Sequence, residues 1–167
     1  MTNIKEYFEN KEKLEVDLLF HITKGNLSKE EFAKNLVKAH IEKAKHNLDL
    51  TAILKDKPGF NDWIVIGLYY ALYHASLALV ANKGYISKNH TATWLFVIKN
   101  YSFNYEELRL IEELSITKSD AEFYTTLKKE RHDASYSTDI LFSNEKMNEF
   151  KSKTIDFLNK CEAILEK

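Results

Sequence analysis

The densest group of chemically useful side chains lies between residues 128 and 136, in the run KKERHDASY. It combines three permanent cations (Lys128, Lys129 and Arg131) with the imidazole of His132 and the phenol of Tyr136. An arginine beside lysines can bind phosphate, with the guanidinium in a bidentate contact. Tyr136 can stack on a base or donate a hydrogen bond. A structural role is an equal alternative, in which Arg131 pairs with an acidic neighbour and Tyr136 anchors a loop to the core.

A second candidate is His74, at the centre of the stretch WIVIGLYYALYHASLALVAN, which has no charged side chain in a protein that is 29% charged. Tyr69, Tyr70 and Tyr73 precede it. Tyr70 and His74 are four residues apart and therefore meet on one face of a helix. His74 is either a core histidine, satisfied by a tyrosine or a backbone carbonyl, or a polar group at the edge of a cleft.

The other histidines do not form a recognisable metal motif. The six histidines are His21, His40, His46, His74, His90 and His132. Glu42 and His46 are four residues apart, but a metal site needs three or four ligands. We expect His40 and His46 to be exposed or half-buried helix residues. The sequence also lacks a glycine-rich phosphate loop and a nucleophile elbow, so we expect neither a metal nor a cofactor.

Helices must position these residues. A single proline and four glycines leave little material for hairpins, and 13% aromatic residues predict a large core. The uncharged stretch 63–82 is apolar on nearly every face, which is typical of a helix enclosed by other helices. It is long enough to span a membrane. Its tyrosines and His74 would need partners in lipid, however, so we predict a buried helix of a soluble protein without membrane contact.

Capping residues and apolar spacing predict the surrounding helices. These are residues 1–23, irregular near Asn10; a helix opened by a capping box at Ser28 and running to about Leu54; the core helix, capped by Asn61 or Asp62; a short helix from Asn89 or His90; one capped by Asn104; one opened at Ser119; and a last helix capped by Ser143 or Asn144. We expect an all-α, antiparallel bundle of about five to six helices. It forms one domain, 1–167, with a helical extension (1–27) and a bundle core (28–167).

The charge and the cysteine content limit the functional classes. A net charge near −1 gives no general affinity for nucleic acid, so any RNA contact must come from a local patch. The single cysteine, Cys161, excludes an internal disulfide and fits a reducing compartment. Without a recognisable targeting pattern, the chain is expected in the cytoplasm.

Four segments together resemble the HEPN domain family in their order and spacing, over about residues 38–165. They are KAHIEKAKHNL (38–48), YYALYHASLAL (69–79), Gly84 with KNHT (88–91), and RHDASY (131–136). The family branch with the motif Arg-x-x-Ala-Asp-Tyr is the most similar. In this chain Ser135 stands where that branch has Asp.

This resemblance implies a helical bundle that commonly forms a homodimer, with the arginine motifs of two chains facing each other in one cleft. Many HEPN members are metal-independent ribonucleases, often the toxin beside a minimal nucleotidyltransferase antitoxin. Others are non-catalytic modules that bind RNA or nucleotides. The nuclease motif of the family is an arginine followed, after four to six residues, by a histidine. Arg131 matches the arginine, but the position after four intervening residues is Tyr136.

The replacement of histidine by Tyr136 matters for catalysis. Metal-free RNA cleavage needs a group that exchanges protons near pH 7, as imidazole does. A phenol with a pKa of about 10 is a poor base. His132 follows Arg131 directly, so on a continuing helix it would point about 100° away from the arginine. His74 or His90 is the alternative source of an imidazole.

We therefore expect a HEPN-like RNA- or nucleotide-associated protein of a toxin–antitoxin or defence-type module, without the complete nuclease motif. The expected binding residues are Lys128, Lys129, Arg131, Tyr136, Tyr70, Tyr73 and His90, with His74 lining the cleft. One alternative is an active metal-independent endoribonuclease that uses Arg131 with His132, His74 or His90. Another is a helical scaffold that binds only protein.

Overall fold

The computed structural model describes residues 4–57, 59–115 and 143–167. The predicted class, an all-α helical bundle, is confirmed. The elements are α1 (Ile4–Glu9), α2 (Lys11–Thr23), β1 (Leu27–Lys29), a 3₁₀ turn (Ala33–Leu36), α3 (Val37–Leu54), α4 (Asn61–Asn82), β2 (Tyr85–Ser87), α5 (His90–Asn100), α6 (described over 105–115) and α7 (Asn144–Leu165). The helix predicted to open at Ser119 lies outside the described residues.

The uncharged stretch forms α4, the central helix, which packs against α3, α5 and α7. Most of its side chains are buried, and they form the middle of one hydrophobic cluster. By length and mean hydropathy (1.8) α4 could cross a membrane, but 78% of its apolar window is buried inside the structure. This burial is consistent with the predicted core helix of a soluble protein.

The N-terminal helices share this core. Ile4 and Tyr7 of α1 and Leu14 and Leu18 of α2 are buried and belong to the same hydrophobic cluster as α4. The irregularity expected near Asn10 is a break between α1 and α2, where the Asn10 side chain accepts a hydrogen bond from the backbone of α2. The helices α1 and α2 of the predicted extension therefore contribute directly to the bundle core.

Two of the predicted helix starts are wrong. Ser28 does not open a helix, because it lies in β1 and pairs with Ile86 of β2 in a short antiparallel sheet. Its hydroxyl donates to the Glu30 carboxylate (3.1 Å) rather than accepting a free helix amide. The residue that precedes α4 is Phe60, and no side chain caps that end, so Asn61 and Asp62 are inside the helix.

Three other predicted helix starts are confirmed. The Asn89 side chain accepts from the backbone amide three residues on (3.0 Å), which starts α5. Asn104 and Glu107 cap α6 reciprocally, with each backbone N–H donating to the other side chain at 2.8–2.9 Å. Ser143 accepts from the first turn of α7 (3.3 Å). These caps fix where the helices around α4 begin.

The helices α3 and α4 approach each other closely at Gly67. A Cβ atom at Gly67 would lie 2.7 Å from the Thr51 Cγ2 methyl and 3.4 Å from the Asn47 carbonyl oxygen. Thr51 is held there because its hydroxyl donates to the Leu48 carbonyl (2.7 Å). Ala44, two turns before Thr51 on α3, is also fully buried. Small side chains therefore set the spacing of this helix pair.

We predict that Gly67→Ala destabilises the protein. Overpacking costs about 1–3 kcal/mol, and the better helix propensity of alanine returns about 1 kcal/mol. The net loss in free energy of unfolding is therefore up to about 2 kcal/mol, measured by urea denaturation. In a Thr51→Ser background the methyl is absent, so the same alanine should be neutral or stabilising. Equal losses in both backgrounds would contradict the close approach.

Candidate functional site

The structure describes four of the predicted site residues, and they lie on α4 and at the start of α5. These are Tyr70, Tyr73, His74 and His90. The remaining predicted residues, Lys128, Lys129, Arg131, His132 and Tyr136, lie outside the described residues. The described geometry therefore concerns the part of the candidate site that α3, α4 and α5 contribute.

The partner of His74 is His40, a residue that sequence analysis did not select as a site residue. The two Nδ1 atoms are 3.2 Å apart, across the contact between α3 and α4. The ring centroids are 5.5 Å apart. The centroid distance exceeds the nitrogen distance by about the sum of the two centroid-to-nitrogen radii. The two nitrogens therefore lie close to the line that joins the ring centres and point at each other. This arrangement is a direct imidazole–imidazole hydrogen bond.

The hydrogen bond imposes complementary tautomers on the two rings. One Nδ1 must carry the proton and donate, and the other must be unprotonated and accept. In a neutral pair, the accepting ring then carries its proton on Nε2, while the donating ring has an unprotonated Nε2. The pair therefore offers one donor and one acceptor at its two Nε2 atoms, whichever ring donates.

The surroundings favour the neutral form of both rings. Burial, followed by the neighbouring His40 and the charge of Lys43, together lower the pKa of His74 to about 4. Burial also lowers the pKa of His40. Both rings are half-buried, so each still has a path to solvent. At neutral pH the pair is uncharged.

Lys43 is the second residue that sequence analysis missed. It lies three residues after His40 on α3, and its charge acts on His74. Its neighbours on the helix have carboxylate partners: Lys38 pairs with Glu42 (3.7 Å) and Lys45 with Glu162 (2.6 Å). Within the described part of the chain, no ion pair involves Lys43. A positive charge therefore lies beside the imidazole pair.

Tyr73 links the imidazole pair to a second aromatic group. The Tyr73 ring stacks on His90 with a centroid distance of 3.9 Å and lies 6.1 Å from the ring of His74. His90 Nδ1 and the Tyr69 hydroxyl are 2.6 Å apart. Trp94, one turn further along α5, packs edge-on against Tyr73. Tyr70 is half-buried and meets the Tyr69 ring edge-on.

The described residues contain no group of three or more histidine, cysteine, aspartate or glutamate side chains that could hold a metal ion. The nitrogens of His40 and His74 face each other rather than converging on a common point. The arrangement is therefore suited to hydrogen bonding with a bound group.

Comparisons with protein-family models, with curated proteins and with solved structures found no match.

We predict that the imidazole pair makes stability depend on pH between about 6.5 and 4. The pKa of His74 falls from 6.5 to about 4 in the folded protein. In this window the unfolded chain binds more protons than the folded one, so stability is lost as the pH falls. His74→Asn should reduce the drop in melting temperature between pH 7 and pH 5. The control is His46→Asn, at an exposed position of α3, which should retain the wild-type profile. Identical profiles for wild type and His74→Asn would contradict the depressed pKa.

Proposed function

We propose that this chain is a HEPN-like protein that binds RNA or nucleotides through the surface formed by His40, Lys43, Tyr70 and His74, here called the imidazole–lysine surface. The observation that carries the proposal is the neutral His40–His74 pair beside Lys43. The remaining expectations form part of the same proposal: a cytoplasmic homodimer that belongs to a toxin–antitoxin or defence-type module with a minimal nucleotidyltransferase partner.

Each group of the surface suits a different part of an RNA strand. Lys43 supplies the charge that attracts a phosphate. The Nε2–H of the imidazole pair can donate to a phosphate oxygen, and the unprotonated Nε2 can accept from a ribose hydroxyl. The half-buried ring of Tyr70 offers a face on which a base can stack. Arg131, by the resemblance in sequence, would add a bidentate phosphate contact.

Binding is favoured over cleavage by the basicity of the pair. General bases work best when their pKa is close to the working pH. The pKa of His74, at about 4, makes it a weak base at pH 7. In addition, Tyr136 stands in place of the histidine in the family's nuclease motif.

A metal-independent endoribonuclease is the second candidate, and one observation favours it. Cleavage without a metal needs a group that takes a proton from the 2′-OH and another that gives one to the leaving oxygen. The pair has one donor and one acceptor by virtue of its hydrogen bond. In this candidate the imidazole pair does the proton transfers and Arg131 stabilises the phosphate.

We predict that Lys43→Ala weakens the binding of a fluorescent, unpaired RNA oligonucleotide, measured by anisotropy. Loss of one phosphate contact lowers the slope of log affinity against log salt by about 0.7–1. The matched control is Lys38→Ala, which removes an equal charge from the same helix at an exposed residue paired with Glu42. An equal loss of affinity in both variants would show general attraction and contradict a site at Lys43.

The same preparations separate the alternatives when incubated with structured RNA and EDTA. Binding without cleavage supports the first candidate. Cleavage that persists in EDTA and is lost in both His74→Asn and Arg131→Ala supports the endoribonuclease. Neither binding nor cleavage, together with unfolding of Arg131→Ala, supports a helical scaffold that binds only protein and overturns the proposal.

A further inference from the structure

A cavity of about 190 Å³ lies between α5 and α6, and His90, on which Tyr73 stacks, forms part of its wall. Helices α1 and α4 close it with Ile4, Tyr7 and Tyr69. We call it the α5–α6 cavity. Every residue that lines it belongs to the described part of the chain: Ile4, Tyr7, Tyr69, His90, Thr91, Trp94, Leu95, Ile98, Ile111, Glu112 and Ser115. Several of these, including Thr91 and Ser115, are half-exposed, so the cavity is reachable from solvent.

The walls of the α5–α6 cavity suit a flat ring. Four of its lining side chains carry rings themselves, namely Tyr7, Tyr69, His90 and Trp94, and the others are mostly aliphatic. A cavity of about 150 Å³ is enough to bind benzene, so this cavity exceeds the space that a single six-membered ring needs. This is room for one mono- or bicyclic ring and too little for a whole nucleotide.

Neighbouring residues outside the cavity fix the orientation of the rings in its wall. Tyr73 stacks on His90 and packs edge-on against Trp94. The Tyr7 hydroxyl donates to Asp17 (2.8 Å), which draws its polar end away toward α2. Burial and this carboxylate raise the pKa of Tyr7 to about 12, so the phenol remains protonated. The wall is therefore preformed.

Glu112 gives the cavity a single carboxylate. Its Oε1 accepts the backbone N–H of Ile4 (3.0 Å), which fixes the orientation of the group. Within the described part of the chain, Oε2 accepts no hydrogen bond. An anionic acceptor inside an apolar, ring-lined cavity selects a ligand that offers N–H donors.

We infer that the α5–α6 cavity receives one nucleobase with an amino group, as in adenine, guanine or cytosine, and that Glu112 accepts a hydrogen bond from that base. The ribose and phosphate stay at the mouth. This inference rests on the proposed function, since it names the part of the RNA or nucleotide that this region recognises. Uracil is disfavoured because its only ring N–H lies between two carbonyl oxygens that the carboxylate repels.

The cavity and the imidazole–lysine surface are linked through Tyr73. Its ring stacks on His90, a wall of the cavity, and neighbours His74 of the imidazole pair. A base in the cavity would therefore contact His90, which stacks on Tyr73, and Tyr73 lies beside His74. An unpaired base of RNA and a free nucleotide offer the same chemistry to Glu112, and the experiment distinguishes them.

The test uses Trp94 as the reporter. The chain has two tryptophans, and the second, Trp63, is 46% exposed. In a Trp63→Phe background, Trp94 fluorescence is titrated with AMP, GMP, CMP and UMP. We expect saturable quenching by AMP, GMP and CMP, and at least tenfold weaker binding of UMP. Saturable quenching that is equal for all four would overturn the role of the carboxylate.

Glu112→Gln is the decisive variant. Its amide oxygen can keep the Ile4 N–H, and its amino group then faces the cavity and donates. The preference should shift by tenfold or more toward UMP, whose carbonyl oxygens accept. The matched control is Glu113→Gln, with the same loss of charge at the adjacent residue, whose carboxylate pairs with Arg109. It should keep the wild-type preference.

Further arms identify the source of the base and separate this inference from the proposed function. Quenching by an unpaired RNA oligonucleotide that AMP competes away supports an RNA base in the cavity. Quenching by mononucleotides alone supports a free nucleotide. RNA binding that depends on Lys43 without any Trp94 response overturns the cavity inference and leaves the proposed function standing. A Glu112-dependent Trp94 response without RNA binding supports the cavity and restricts the proposed function to nucleotides. If neither RNA binding nor a Trp94 response is observed, both the cavity inference and the proposed function are overturned.

Discussion

The close contact of α3 and α4 at Gly67 and Thr51 sets the geometry on which the candidate site depends. Because no side chain at Gly67 separates the helices, α3 lies deep against the central helix. Further along the same contact, this depth brings His40 within hydrogen-bonding distance of His74. A wider spacing would break that bond and expose both rings to water, which would remove the burial that keeps them neutral.

The imidazole pair and the aromatic cluster formed by Tyr69, Tyr73, His90 and Trp94 are two parts of one region. The first joins α3 to α4, and the second joins α4 to α5. Tyr73 belongs to both, through its stacking on His90 and its position beside His74. In the function proposed above, this partly buried set of rings, the nearby lysine and the carboxylate of the α5–α6 cavity would contact unpaired nucleic acid, since bases need flat walls and phosphates need charge.

Much of the fold was predictable because its signals are local. The uncharged run of α4 predicted the core helix, and Asn89, Asn104 and Ser143 predicted helix starts through contacts three residues away. The errors arose where a distant partner overrides a local pattern. Ser28 has the spacing of a capping box, but its backbone pairs with Ile86, 58 residues later, in a sheet that neither strand predicts alone.

The site was predictable only in part, for the same reason. His74 was recognisable as a polar residue on an apolar helix, but its partner His40 is 34 residues away and looks like an ordinary helix histidine. Lys43 resembles the other lysines of α3 until the ion pairs of its neighbours are known. Glu112 resembles the other glutamates of its helix, and only the contact of its carboxylate with the backbone of α1 places it in the wall of a cavity.

The most direct test of this account is ¹⁵N NMR of the histidine side chains at pH 7. We predict that His40 and His74 are both neutral and have opposite tautomers, one protonated on Nδ1 and the other on Nε2, and that both shift when unpaired RNA is added. Two identical tautomers, a protonated ring at pH 7, or shifts unaffected by RNA would contradict it.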